Sequence, residues 1–237
     1  MNSPGRLGVG EVLNHVFDLY REHFGVLIPV AFWIFLVVSI LGGILSRTNA
    51  LALVIFFAVS FAAAILYQGM VVSLVRDVQD GRRDFSVGEL FNSVTPVLGA
   101  LIGASILYGI AVGIGFFLLI VPGCILLTIW AVIAPAIVIE RKAAFESFGR
   151  SRELVRGYGW PVFGTVIVAT LITAVVSLIL TAIAEAIAGG PILRIVFGAL
   201  ASTLTAPIGG LVAAVLYYRL LELKGEAAPS PGPEFVA

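Results

Sequence analysis

Five basic side chains within one short segment have the greatest capacity for chemistry in this 237-residue sequence: Arg141, Lys142, Arg150, Arg152 and Arg156. They stand between two apolar runs, the first ending at Glu140 and the second opening at Trp160-Pro161. Cationic groups grouped beside apolar runs suit anionic lipid headgroups, since each basic residue near a membrane surface contributes about 1 kcal/mol. They suit equally an anchor that holds topology and packs beneath a helix bundle, and the residues alone leave both readings open. On a helix, Phe145, Phe148, Leu154, Val155 and Tyr158 share one arc, and Glu146, Arg150, Glu153 and Arg156 another. Glu146–Arg150 and Arg150–Glu153 have the spacing of local ion pairs, worth roughly tenths of a kcal/mol each.

A second set of candidates lies in apolar surroundings. Thr165, Ala169, Thr173, Ser177 and Thr181 recur every four residues, as do Gly198, Ser202, Ala206, Gly210 and Ala214. Gly99 with Gly103, and Gly109 with Gly113, form GxxxG pairs. Small residues let helix backbones approach closely, and hydroxyls can also line a ligand path. Glu11, His15, Asp18 and Glu22 share a helical face that reads as a solvated polar face; a metal cluster is the alternative, but one helix rarely completes a first coordination shell. His23 falls on the apolar side, near a membrane entry. The sequence holds no HExxH, GxSxG, Walker A or CxxC motif, and no charged residue near the middle of any long apolar run. Proton relays usually need such a residue. The expectation is therefore a protein that is not an enzyme and holds neither metal nor cofactor.

The elements that must position these residues are legible from composition. Sixty percent of residues are hydrophobic and 12% charged, about half the charge of soluble domains. Net charge is zero, which gives no hint of nucleic acid. A helix needs about 20 apolar residues to cross a hydrocarbon core of ~30 Å. Six runs qualify: about 24–45, 51–75, 97–120, 123–139, 160–184 and 195–221. Ser46–Ala50 and the Val121-Pro122-Gly123 turn are short enough to make hairpins. Pro135 predicts a kink in the fourth run, and Pro29 and Pro207 lie inside two others.

Before the first run, Val9, Val12, Leu13, Val16, Phe17, Leu19 and Tyr20 form an apolar face opposite Glu11, Asn14, Asp18, Arg21 and Glu22. After a polar loop, Arg76–Phe85, Ser86 and Glu89 have capping-box spacing, and Val87, Leu90, Phe91 and Val94 share a face. Val9-Gly10-Glu11-Val12-Leu13-Asn14 matches Val87-Gly88-Glu89-Leu90-Phe91-Asn92, with a weaker third copy at Phe145–Phe148. Three modules, 8–80, 81–142 and 143–224, follow from a true repeat; independent convergence of helices that precede spans explains the matches as well.

Twelve of the fourteen Lys and Arg residues fall on one side if both termini are inside, with Arg47 and Arg194 outside. The positive-inside rule then places both termini and the three amphipathic helices in the cytoplasm.

The stretch APAIVIERKAAFESFGRSRELVRGYGWPVFG, Ala134–Gly164, resembles the membrane domain of the glycerophosphoryl diester phosphodiesterase family and its stand-alone prokaryotic relatives. The resemblance rests on Pro135, Glu140, Arg150, Ser151, Leu154, Val155, Gly157 and Trp160, with Pro122-Gly123 and the Leu216–Leu220 ending. It implies a multi-span membrane fold. It does not imply phosphodiesterase activity, which belongs to a separate soluble barrel for which this chain has no room.

The expected architecture is an all-α integral membrane protein of the cell membrane. Six spans form three hairpins, each preceded by a cytoplasmic amphipathic helix, in one domain over 1–224 with a disordered Pro-rich tail over 225–237. The expected role is scaffolding or lipid interaction; the alternative is a transporter or channel for a small neutral or lipidic substrate. Expected partners are membrane lipids and a membrane protein or second copy, not nucleic acid.

Overall fold

The computed structural model describes residues 7–45, 50–82, 86–187 and 191–227. The expected turn carrying Arg47, the Gly189-Gly190 connection, Arg6, Arg83 and the tail from 228 onward lie outside these. Among the described residues all regular structure is helix, with no strand. The helices are α1 (Val9–Glu22), α2 (Phe24–Leu45), α3 (Ala50–Gln79), α4 (Val87–Val94), α5 (Leu98–Leu118), α6 (Ile120–Ile129), α7 (Ile133–Val138), α8 (Ala144–Val155), α9 (Gly159–Ala186) and α10 (Pro191–Lys224). Six segments are long and apolar enough to cross a membrane. Apolar surroundings leave backbone groups no water to bond, which forces such runs into helix.

The bundle is built around α10. Its apolar window is 61% buried, against 6% for α9. It packs against α1, α2, α3, α7, α8 and α9, with Leu211, Ala214, Leu216, Tyr217 and Leu220 wholly enclosed. A helix apolar all round belongs in such a central position. Gly210 lets α3 approach: a Cβ there would lie 2.8 Å from Cβ of Val71. By contrast, a Cβ at Gly99, Gly103, Gly109 or Gly113 would meet nothing within 4 Å, so the GxxxG pairs of α5 make no close contact among the described residues. Close approach on α5 falls instead at Gly115, against the Gly123 backbone of α6.

Two proline-containing helices carry nearby tyrosine bonds. Proline lacks the N–H that bonds the carbonyl four residues back and disturbs the turn before it. Near Pro29 of α2, the Tyr67 hydroxyl donates to the Leu27 carbonyl at 3.0 Å. Near Pro207 of α10, the Tyr20 hydroxyl donates to the Leu204 carbonyl at 3.2 Å. Tyr20 thereby ties α1 to α10, and α1 buries Val12, Val16 and Leu19.

Several boundaries differ from the sequence reading. The second span continues through the expected loop to Gln79, where Gly81 at φ 81° ends it: Arg82 N–H donates to Asp77 O and Gly81 N–H to Val78 O. The α5–α6 turn is a single extended residue, Leu119, and Pro122 sits in the first turn of α6, where a missing N–H costs nothing. Ser86 occupies the N-cap position of α4, but its side chain makes no capping bond. In α4 only Leu90 and Val94 turn inward; Val87 and Phe91 are exposed.

The largest difference is in the fourth span, which is broken rather than kinked. α6 has 10 residues and α7 has 6, about 15 and 9 Å. The turn over Trp130–Val132 separates them. Pro135 lies in the first turn of α7 and can give no N–H to Ala131, so a continuous helix loses its bond there.

Candidate functional site

Residues of α8 and its flanks meet α5, α6, α7 and the end of α10 at one polar end of the bundle. The construction begins at the break in the fourth span, which leaves the last carbonyls of α6 and the first N–H groups of α7 without helical partners. Ser151, fully buried on α8, supplies both kinds of partner: its Oγ donates to Ile129 O at 2.9 Å and accepts from Val132 N–H at 3.3 Å. Trp130 packs edge-on against Phe148 of α8, with ring centroids 4.9 Å apart.

The buried face of α8 is accordingly Ser147, Ser151, Leu154 and Val155. Phe145, expected on the apolar arc, is 78% exposed. α8 ends in a type II turn, Val155-Arg156-Gly157-Tyr158. Gly157 adopts φ 96° and Tyr158 N–H closes onto Val155 O at 2.9 Å.

Arg150 is the centre of an ion network. Its Nε donates to both oxygens of Glu140 at 2.8 and 3.1 Å. Nη1 reaches Glu153 at 3.4 Å, and Nη2 donates to Glu226. Glu140 also accepts the Tyr217 hydroxyl of α10 at 2.7 Å and lies 3.6 Å from Lys142 Nζ. Burial opposes the charge on Arg150, but hydrogen bonds and attraction from Glu226 and Glu140 outweigh it and raise its pKa further. The bond from Arg150 holds Glu226 below the usual carboxylate range. The expected pair with Glu146 is not formed among the described residues; Glu140, ten positions away, and Glu226, 76 positions away, take its place.

Glu226 reaches Arg150 because of how α10 ends. Gly225 adopts φ 68°, with Glu226 N–H bonded to Leu221 O and Gly225 N–H to Glu222 O. This reversal satisfies the last carbonyls and turns the chain back across the end of the bundle. Lys224 Nζ completes the junction by donating to Arg156 O at 3.1 Å.

Of the five basic candidates, then, Arg150 is committed to three carboxylates and Lys142 pairs with Glu140. Arg141 takes a left-handed backbone conformation, φ 55°, in the connection between α7 and α8. Arg152 and Arg156 are exposed and make no ion pair among the described residues.

The hydroxyl stripe of α9 does not line one path. Thr165 is buried and bonds Pro161 O, Thr173 borders a cavity, Ser177 is half-buried, and Thr181 is exposed and bonds Ser177 O. On α10, Gly198 is exposed, Ser202 half-buried and Gly210 packed on Val71. No three His, Cys, Asp or Glu residues come together as a metal site among the described residues. His23 Nδ1 bonds the Leu19 carbonyl at 3.2 Å.

Sequence reasoning did not anticipate a cavity of about 220 Å³ between α3, α5, α7, α9 and α10. Gln68, Ser105 and Tyr108 line it, and their polar side-chain atoms have no hydrogen-bond partner among the described residues. Thr170 and Thr173 also border it, but bond their own helix at Val166 O and Thr170 O. Gln68 inside an otherwise apolar run was the available signal.

Comparison with family models, with curated proteins and with solved structures finds no match to this chain.

Proposed function

We propose that this is a non-enzymatic integral membrane protein of the cytoplasmic membrane whose polar end interacts with anionic lipid. In this reading six spans form three hairpins, each preceded by a cytoplasmic amphipathic helix, with both termini inside. One observation carries the reading: α8 is bolted to the bundle through Ser151 and Arg150, while Arg152 and Arg156 point outward without an ion pair among the described residues. A fixed helix with free guanidinium groups meets a headgroup without first ordering itself. Arg150 then serves position.

The cavity bordered by Gln68, Ser105 and Tyr108 favours a second reading, transport of a small neutral or lipidic substrate. Its volume of about 220 Å³ falls below the ~300 Å³ where pockets for drug-sized ligands begin. Native mass spectrometry of gently extracted protein separates the readings. Enrichment of anionic phospholipid over its share of the membrane is expected. Retained lipid that mirrors the bulk would count against the first reading, and a small non-lipid molecule retained in its place would favour the second.

A further inference from the structure

We infer that the junction of α6, α8 and α9 is a binding site for one anionic phospholipid. Its headgroup phosphate would lie on Arg152 and Arg156, and an acyl chain along the groove between α6 and α9. The inference deepens the lipid-binding reading and rests on it.

Two open pockets adjoin at this junction and share Ile129, Gly157 and Gly159 in their walls. One, of about 630 Å³, lies at the polar end and is walled by Gly149, Arg152, Glu153 and Arg156. The other, of about 740 Å³, runs along the flank of the bundle between Cys124, Ile125 and Thr128 on α6 and Trp160, Pro161 and Phe163 on α9. An open pocket with arginines in its wall, adjoining an apolar groove, matches an amphiphile with a charged head and a hydrocarbon tail. A free phosphate would leave the groove empty, and a neutral lipid would leave the arginines without a counter-charge.

The electrostatics select an anion. Glu153 is the carboxylate in the polar wall, and it is paired with Arg150 at 3.4 Å. Lys224 Nζ lies beside the same rim, on the Arg156 carbonyl. The first-turn N–H groups of Gly159 and Trp160 have no helical acceptor, and the positive end of the 28-residue α9 faces this junction. Arginine's planar fork matches phosphate oxygens in pairs. Trp160, 86% exposed, marks the level at which head meets tail, because indole rings concentrate at membrane interfaces.

The geometry explains two features the general reading leaves idle. The type II turn at Gly157 opens the passage between the pockets, since a glycine there leaves no side chain in the way. The short α6, ending at Ile129, brings the groove to the level of α8.

The test uses the intact protein in nanodiscs of phosphatidylcholine with a minor share of phosphatidylglycerol bearing a photoreactive acyl chain. Crosslinks are expected on α6 and the start of α9, near Ile125 and Phe163. Arg152→Gln with Arg156→Gln should reduce them by roughly thirtyfold, from about fivefold per basic residue. Ile125→Trp, which fills the groove from an exposed position and leaves both arginines in place, should reduce them as well. Crosslinking that is unchanged in the arginine variant, or equally strong with a photoreactive phosphatidylcholine, overturns the site, as does full competition by inorganic phosphate. If the wild type shows anionic preference by mass spectrometry yet crosslinks elsewhere, the site fails and the general reading stands. If the wild type shows no anionic preference at all, the general reading fails and the site with it.

Discussion

Ser151 does at a single atom what a continuous helix would do with its own backbone. Its hydroxyl is both donor and acceptor, so one side chain closes the broken end of α6 and the open start of α7. In an apolar interior neither backbone group finds water. Ser151→Ala should therefore leave two buried backbone groups unpaired and destabilise the protein by about 1–3 kcal/mol. A thermal melt in detergent reads this as a lowered Tm; an unchanged Tm would mean the break is satisfied by other means. Arg150 illustrates the opposite economy. Its three acceptors come from just beyond the fourth span, from its own helix and from the second residue after α10. Losing the guanidinium would strand Glu140, which is only 11% exposed, in a poorly hydrated place.

Among the elements, the end of α10 shows how a local motif sets a distant contact. The glycine reversal at Gly225 aims Glu226 at Arg150. Because the folded carboxyl titrates below its ordinary value, this contact contributes fully above that ordinary value and is lost as pH falls through the depressed one. Fluorescence from a probe on an Ala227→Cys variant, in a Cys124→Ser background, should report a docked tail from pH 7 down to about 4.5 and release only in more acidic solution. Glu226→Ala should be released throughout, and a wild-type tail that is already free at pH 7 would sink the idea.

The elements also show what was legible beforehand. The ends of α2 and the start of α1 follow from hydropathy and periodicity, because single residues decide them locally. The break at Trp130–Val132 does not: an apolar window scores the same whether its helix is continuous or broken. Pro135 signals a disturbance, but whether it bends or breaks depends on Ser151 arriving from another helix. The two arcs assigned to α8 leave out Ser147 and Ser151, which the structure buries against backbone. The Arg150–Glu226 pair spans 76 positions and no local pattern encodes it.

At the scale of the whole molecule, the ion pairs around α8 and the ends of α3 and α10 gather at one end. Arg76 with Asp80 and Arg219 with Glu222 lie towards helix ends and Arg150 joins α8 to Glu140 beyond α7, while Leu51, Phe57, Phe117 and Leu178 stand exposed along the flanks. Exposed side chains of this size are sustained where the surrounding medium is hydrocarbon. Twelve of fourteen basic residues then predict a cytoplasmic C-terminus. A reporter fused after Lys224 should read as internal, and an external signal would overturn the topology.

The central place of α10 also has a temporal meaning. Chains are made from the N-terminus, so the helix that packs against six others leaves the ribosome after all of them. Until it arrives, α2, α3 and α9 reside in lipid with the faces it will cover still bare, and α1 has no carbonyl for Tyr20. Packing of the bundle around α10 would thus follow insertion of the earlier spans, and a chain truncated before α10 should lack the contacts that hold those spans together.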